Sequence, residues 1–209
     1  MRETDAENPE QELVIDFCGG AVGHRLRMGE GRGQALAKAV GFKKGVVPHI
    51  VDATAGLGRD AFLLASLGAQ VTLIERSAAV HARLVDALAR ATSAGGRYAE
   101  IAARMTLLHG DAIDLLPSLA PEVVLVDPMH PPRRNSALVK KEMRLLREIV
   151  GTDPDQAALM QAALACARKR VVLKWPARAE PMPGIRPPSH QIAGKTTRYD
   201  VFMIAEKKG

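Results

Sequence analysis

The chain has 209 residues, 47% hydrophobic and 25% charged, which suits one well-cored domain and excludes a disordered or fibrous protein. A net charge of +6 favours polyanionic partners such as nucleic acid and says nothing about fold. No apolar run nears the ~18 residues that span a bilayer, and two cysteines, Cys18 and Cys166, are too few for a disulfide framework and have no metal-like neighbours, so buried free thiols in a reducing cytoplasm are expected.

Residues 1–12 are acidic and polar, unlike a secretory signal, and read as a loosely held leader. Leu13 to Phe17 reads as a short strand, and Gly19 to Gly33, with His24, Arg25, Arg27 and Arg32 among glycines, as a basic flexible loop. A short helix is predicted over Gln34 to Val40. From Ile50 the chain alternates. Strands are predicted over Ile50–Ala53, Gln70–Glu75, Met105–His109, Val123–Val126 and Arg170–Lys174, with helices over Asp60–Leu67, Ala78–Ala91, Ala112–Leu116, Ala137–Val150 and Pro154–Ala167. Such alternation predicts an α/β fold with a mostly parallel, doubly wound sheet. After a proline-rich loop, His190–Ala193 and Tyr199–Ala205 are strand candidates too close together for a crossover helix, so at least one is expected antiparallel at the sheet edge near the C-terminus. The chain divides into an N-terminal extension, 1–48, that carries the basic Gly-rich loop, and a catalytic domain, 49–209.

Gly56 and Gly58 fall where the first strand hands over to a helix. Glycine there lets backbone approach a ligand that the helix N–H groups face. Glu75 ends the second strand, in the position that reaches a ribose in a doubly wound sheet. The third glycine of a dinucleotide fingerprint is missing, and Arg59-Asp60 stand in that turn. An adenosine ligand with a cationic sulfonium and no phosphate suits the acidic set Asp52, Asp60, Glu75, Asp111 and Asp127. No metal site is indicated.

Asp127-Pro128-Met129-His130-Pro131 ends a buried strand in an acid and a proline-braced loop. Proline fixes φ and carries no N–H. A carboxylate oxygen and a backbone carbonyl can there accept both hydrogens of an exocyclic amine, weakening conjugation of its lone pair and aiming it at a methyl group. Positioning of this kind supplies ~7–11 kcal/mol of a barrier, and the amine can shed its proton after transfer. His130 stands where an imidazole could stack on a target base.

With both segments placed, the chain resembles the ribosomal RNA small subunit methyltransferase J family of the Rossmann-like class I S-adenosylmethionine-dependent methyltransferases. The match is carried by Asp16-Phe17, Gly19-Gly20-Ala21, Gly31-Arg32-Gly33, Ala37-Lys38-Ala39-Val40-Gly41, the run from Val51 to Phe62, Glu75-Arg76, Asp127-Pro128-Met129 and the run from Ser136 to Arg144. The resemblance implies methylation of the N2 amine of a guanine in 16S rRNA. It also implies a site for S-adenosylmethionine lined by Arg59-Asp60, Glu75-Arg76, Asp111-Ala112 and Asp127. Catalysis is expected from Asp127, Pro128 and His130. The sequence departs from the family where the chain starts late, at His130 in place of a usual aromatic, and at Trp175, which follows Lys174 where Arg is expected; Trp175 could provide the stacking face instead.

The basic run 133–147 includes Arg133, Arg134, Lys140, Lys141, Arg144 and Arg147. On a helix, Val139, Met143, Leu146 and Val150 share one face and leave Lys140, Arg144 and Arg147 on another. RNA phosphates are expected against this region and against Arg25, Arg27 and Arg32, and RNA contact is expected also at Lys174 and Trp175. The expected partner is 16S rRNA or the small ribosomal subunit, in the cytoplasm, with no membrane and no obligate protein partner. Two other classes stay open: a DNA or protein amine methyltransferase using the same acid-proline loop, and a non-catalytic assembly factor that binds S-adenosylmethionine and rRNA. A nicotinamide-dependent oxidoreductase is disfavoured, because neither a third glycine nor a hydride-relay residue is evident.

Overall fold

The computed structural model describes residues 9–19, 33–129, 141–151, 154–194 and 196–205. Its strands are β1 (His49–Asp52), β2 (Gln70–Glu75), β3 (Met105–His109), β4 (Val123–Val126), β5 (Arg170–Pro176), β6 (His190–Ala193) and β7 (Thr197–Met203). They form one sheet in the order β3-β2-β1-β4-β5-β7-β6. The first five are parallel, and β7 is antiparallel to both of its neighbours, β5 and β6. Strand order reverses beside β1, which lies between β2 and β4, and such a switch point opens a crevice at the carboxyl ends of the strands.

The helices are α1 (Pro9–Glu12), α2 (Ala35–Val40), α3 (Arg59–Ser66), α4 (Ala78–Ser93), α5 (Gly96–Ala102), α6 (Ala112–Leu119), α7 (Lys141–Val150) and α8 (Gln156–Cys166). Strand periodicity divides the core between the two faces of the sheet. Val123, Leu125 and Val172 join one cluster with α2 to α5 and α7, whereas Val124, Val126, Val171 and Leu173 join a second with α6 and α8. A one-residue register slip in β4 or β5 would exchange these sets, so the register is strongly specified.

Residues 9–19 are held more firmly than a leader. Glu12 pairs with Lys141 of α7 at 2.7 Å, and Glu10 offers its carbonyl to Arg83 Nε at 3.1 Å. Leu13, Ile15 and Phe17 are buried in alternation, as a strand would require, yet the segment joins no sheet. It lies against helices, so side chains satisfy its carbonyls instead: Arg90 donates to Ile15 O at 2.6 Å and the Tyr98 hydroxyl to Cys18 O at 3.0 Å. The Phe17 ring stacks on Phe62 of α3, centroids 4.5 Å apart. Helix α5 starts at Gly96, directly after Gly95 (φ +71°), in a stretch where the sequence pattern predicts no helix. Cys18 and Cys166 are free and half-buried. No described helix is long and apolar enough to cross a membrane.

Candidate active site

The turn from β1 into α3 needs two left-handed residues: Gly56 (φ +50°) and Gly58 (φ +65°). At Gly58 a Cβ would stand 2.9 Å from both Leu84 and Phe17, so the turn presses on the core as well as on the crevice. Glu75, 6% exposed at the end of β2, accepts from the N–H of Gly56 at 3.0 Å and of Ser77 at 2.8 Å. One carboxylate therefore ties the glycine turn to the next strand end. Four acceptor positions on a carboxylate leave capacity beyond these two bonds. Asp111 caps α6 by accepting from Ile113 N at 2.8 Å. The exposed Arg76 lies between Asp155 (2.8 Å) and Asp111 (3.9 Å).

At the neighbouring strand ends the organisation is ionic. Lys174 of β5 places Nζ 2.7 Å from Asp60 Oδ2 and 2.7 Å from Asp127 Oδ2. Thr54 Oγ accepts from the Asp127 backbone N–H at 2.7 Å, locking the residue that follows β4 against the β1 turn. Burial alone would lower the Lys174 pKa, but the Asp127 and Asp60 charges outweigh it and raise it well above the usual lysine value. Asp52, at the end of β1, is pushed up to about 7 by burial, against the hydrogen bond from Thr54 N–H and with help from the Asp60 and Asp127 charges. Tyr199 on β7 is also raised, first by burial and then by Asp60.

Asp52, Gly56, Arg59, Asp60, Glu75, Arg76, Asp111, Ala112, Asp127 and Pro128 line one cavity of about 390 Å³, joined by Lys174. Gly58 supports the turn from behind. Arg59 is engaged by Glu142 of α7 at 2.6 Å. His130, Arg133, Arg134 and Lys140, like Arg25, Arg27 and Arg32, lie outside the described residues. Lys141 and Arg144 are exposed on α7, with Lys141 paired to Glu12.

Three expectations need correction. Trp175 is 7% exposed and belongs to the core beneath α8, its Nε1 donating to Glu180 O at 2.7 Å, so it offers no face for stacking a base. Period-two alternation sends Lys174 to the opposite face, where two carboxylates hold it instead of an RNA phosphate. Arg147 does not share the outer face with Arg144: it lines the cavity with Met143, Leu146 and Val150. It lies four residues beyond Met143, hence one turn along the same stripe.

The residues present fit S-adenosylmethionine. Gly56 lines the cavity without a side chain, carboxylates replace phosphate-binding groups, and Arg147 Nε is buried with no hydrogen-bond partner among the described residues, a donor suited to a ligand oxygen. Sheet order, switch-point cavity and acidic strand ends together define a Rossmann-like class I methyltransferase.

Residues 1–204 match the family of SAM-dependent methyltransferases. Ribosomal RNA small subunit methyltransferase J of Agrobacterium fabrum is 73% identical over 194 residues, 93% of each chain. Its namesake from Brucella anthropi is 73% identical over 195 residues, 93% of this chain and 95% of the other. A solved SAM-dependent methyltransferase from Neisseria gonorrhoeae superposes with a TM-score of 0.71 at 37% identity, covering 91% of this chain and 74% of that one. The chain belongs to the ribosomal RNA small subunit methyltransferase J family and uses S-adenosylmethionine as its cofactor.

Proposed function

We propose that this protein methylates the N2 exocyclic amine of a guanine in 16S rRNA, with naked rRNA or the small ribosomal subunit as partner. The observation that carries this reading is Asp127-Pro128 at the end of β4, on the wall of the cofactor cavity, in a chain 73% identical to ribosomal RNA small subunit methyltransferase J. Asp127 would accept one amine hydrogen, and the Pro128 carbonyl the other. Lys174 occupies one acceptor position on Asp127 and leaves others, since a carboxylate accepts about four hydrogen bonds. When bound, S-adenosylmethionine would supply the electrophilic methyl on its sulfonium, and the amine nitrogen, held by Asp127 and the Pro128 carbonyl, would shed its proton after accepting the methyl.

Glu75 would hold the ribose, with its orientation set beforehand by the Gly56 and Ser77 N–H groups. Asp111 and Ala112, at the start of α6, would flank the adenosine. The preorganised polar wall holds each electrostatic contact to the amine ready before transfer. His130 supplies a stacking surface for the base in this proposal, and Arg25, Arg27, Arg32, Arg133, Arg134, Lys140, Lys141 and Arg144 supply phosphate contacts. Residues 1–48 act as the RNA-binding extension of a methyltransferase domain over 49–209.

The test incubates the protein with unmodified small subunits and methyl-deuterated S-adenosylmethionine, followed by nucleoside mass spectrometry of the digested rRNA. Labelled N2-methylguanosine is the expected product. Label in another nucleoside would refute the N2 assignment, and label only in DNA or protein acceptors would refute the substrate class.

A further inference from the structure

Like Arg59, Arg76 and Arg147, Lys174 brings a positive charge to the wall of a pocket for a cationic cofactor. A bare ammonium beside a sulfonium is repulsive, so Lys174 cannot serve to attract the cofactor. Nor is it placed to serve as an RNA contact. Its side chain is 23% exposed and its Nζ is held by carboxylates that are themselves 18% (Asp60) and 37% (Asp127) exposed.

We infer that Lys174 is a positioning residue for methyl transfer, bridging α3 to the loop after β4 and fixing the Asp127 carboxylate that receives the acceptor amine. This rests on the reading of Asp127 given above. Four elements meet here: β5 brings Lys174, α3 brings Asp60, the β4 end brings Asp127, and β1 brings the buried Asp52. Across the sheet, Tyr199 of β7 is the register partner of Lys174. Without the ammonium, Asp60 and Asp127 would face one another across the position of Nζ. They would separate or share a proton. With it, both Oδ2 atoms are drawn to one point at 2.7 Å, and rotation of the Asp127 carboxylate is restrained.

A lysine is specific for this duty. Its compact ammonium can sit between two separate carboxylates, whereas the planar guanidinium of arginine is longer and favours bidentate capture of a single one. The arrangement also keeps a net negative charge at the site, two carboxylates against one ammonium, as a cationic donor requires. Lys174 thus orders the acidic site without neutralising it.

The test uses Lys174→Met and Lys174→Arg in the full chain, with Asp127→Ala as reference. Measured are kcat and KM for small subunits, affinity for S-adenosylmethionine, the pH profile of kcat and the unfolding temperature. Lys174→Met is expected to lower kcat on the order of 10- to 100-fold, the cost of misplacing a reacting group by about 1 Å, with KM for the subunit nearly unchanged. Its kcat should also gain an acidic limb absent from the wild type, because the two carboxylates left without a cation take up a proton. Lys174→Arg keeps the charge and guards against simple misfolding; it should lose kcat without gaining that limb. Wild-type kcat in both variants, or a raised KM with unchanged kcat, overturns the inference in favour of no role or of RNA contact. If Asp127→Ala itself keeps wild-type turnover, the reading of the site fails. If it loses turnover while both Lys174 variants keep theirs, only this inference fails.

Discussion

The two halves of the cavity are built on different principles. At the ends of β1, β2 and β3 the parts are fixed by backbone: Glu75 is held by two main-chain N–H groups, Asp111 by the first turn of α6, and the glycine turn by its own left-handed geometry. At the ends of β4 and β5 they are fixed by charge, through Lys174 between Asp60 and Asp127. Backbone-held groups suit a cofactor that is the same in every turnover. A charge-held carboxylate retains acceptor positions for an incoming base and depends on the cluster staying intact. The contrast predicts opposite kinetic signatures for the two halves.

The largest effect is expected on the charge-held side. Asp127→Ala should lower kcat by at least about 100-fold, the scale of deleting one transition-state contact, while affinity for S-adenosylmethionine changes by less than about tenfold. Steady-state kinetics and calorimetric titration check the two numbers separately. Turnover within a few-fold of wild type would remove Asp127 from the chemistry. On the backbone-held side, Glu75→Gln should show the reverse. An amide can accept from only one of the Gly56 and Ser77 N–H groups, and the donor left unpaired costs about 1–3 kcal/mol. Affinity for S-adenosylmethionine should then fall about 10- to 100-fold, with kcat at saturating cofactor largely kept. If kcat fell and affinity held, the division between the halves would be wrong.

The same division explains what the sequence made legible. The β1 to β4 ends, their acids and the glycine turn follow from short apolar runs closed by Gly, Asp or Pro, each signal confined to a few neighbouring residues. The register of β5 was equally local, and alternation alone separates Lys174 from Trp175. What could not be read is which partner each side chain meets. Lys174 and Asp60 are 114 positions apart, and no local pattern marks a lysine as an internal bridge rather than a phosphate ligand. Arg147 was legible in principle from its spacing to Met143. Val139, Met143, Leu146 and Val150 mark the apolar stripe, and charge alone groups the arginine within it with Arg144. The extended segment 13–17 has the alternation of a strand, but whether a neighbouring strand edge is available to it is decided by the tertiary fold.

A smaller effect, on stability, tests the backbone-held half from behind. Gly58→Ala puts a Cβ at φ +65° and 2.9 Å from Leu84 and Phe17. The left-handed conformation alone costs about 1–2 kcal/mol for a non-glycine residue, which lowers the unfolding temperature of a chain this size by roughly 2–8 °C. Crowding against the Phe17–Phe62 stack adds to that loss. A loss no larger than that strain alone would show that residues 13–17 yield readily, and an unchanged unfolding temperature would show that the turn does not hold its left-handed conformation.

A tilt of stability with pH separates the two halves at their shared residue. Asp52 is bonded by backbone through Thr54 N–H at 3.1 Å, yet lies in the field of Asp60, Asp127 and Lys174. Its pKa, about 7 in the fold against 3.8 as a free side chain, is raised chiefly by burial. The folded state therefore keeps a proton that the unfolded chain gives up, and stability falls as pH rises. The loss begins near the unfolded value, grows through the interval, and levels off once pH passes the folded value of about 7. Asp52→Asn retains an oxygen for Thr54 N–H and removes the titration. Relative to wild type, the cofactor-free variant should gain unfolding temperature from pH 4 to about pH 7 and hold that gain to pH 8, because only the wild type must ionise a buried acid. Parallel curves across that range would mean that Asp52 is charged throughout in the fold, with Lys174 compensating it as well as Asp60 and Asp127, and the ionic half of the cavity would then extend to β1.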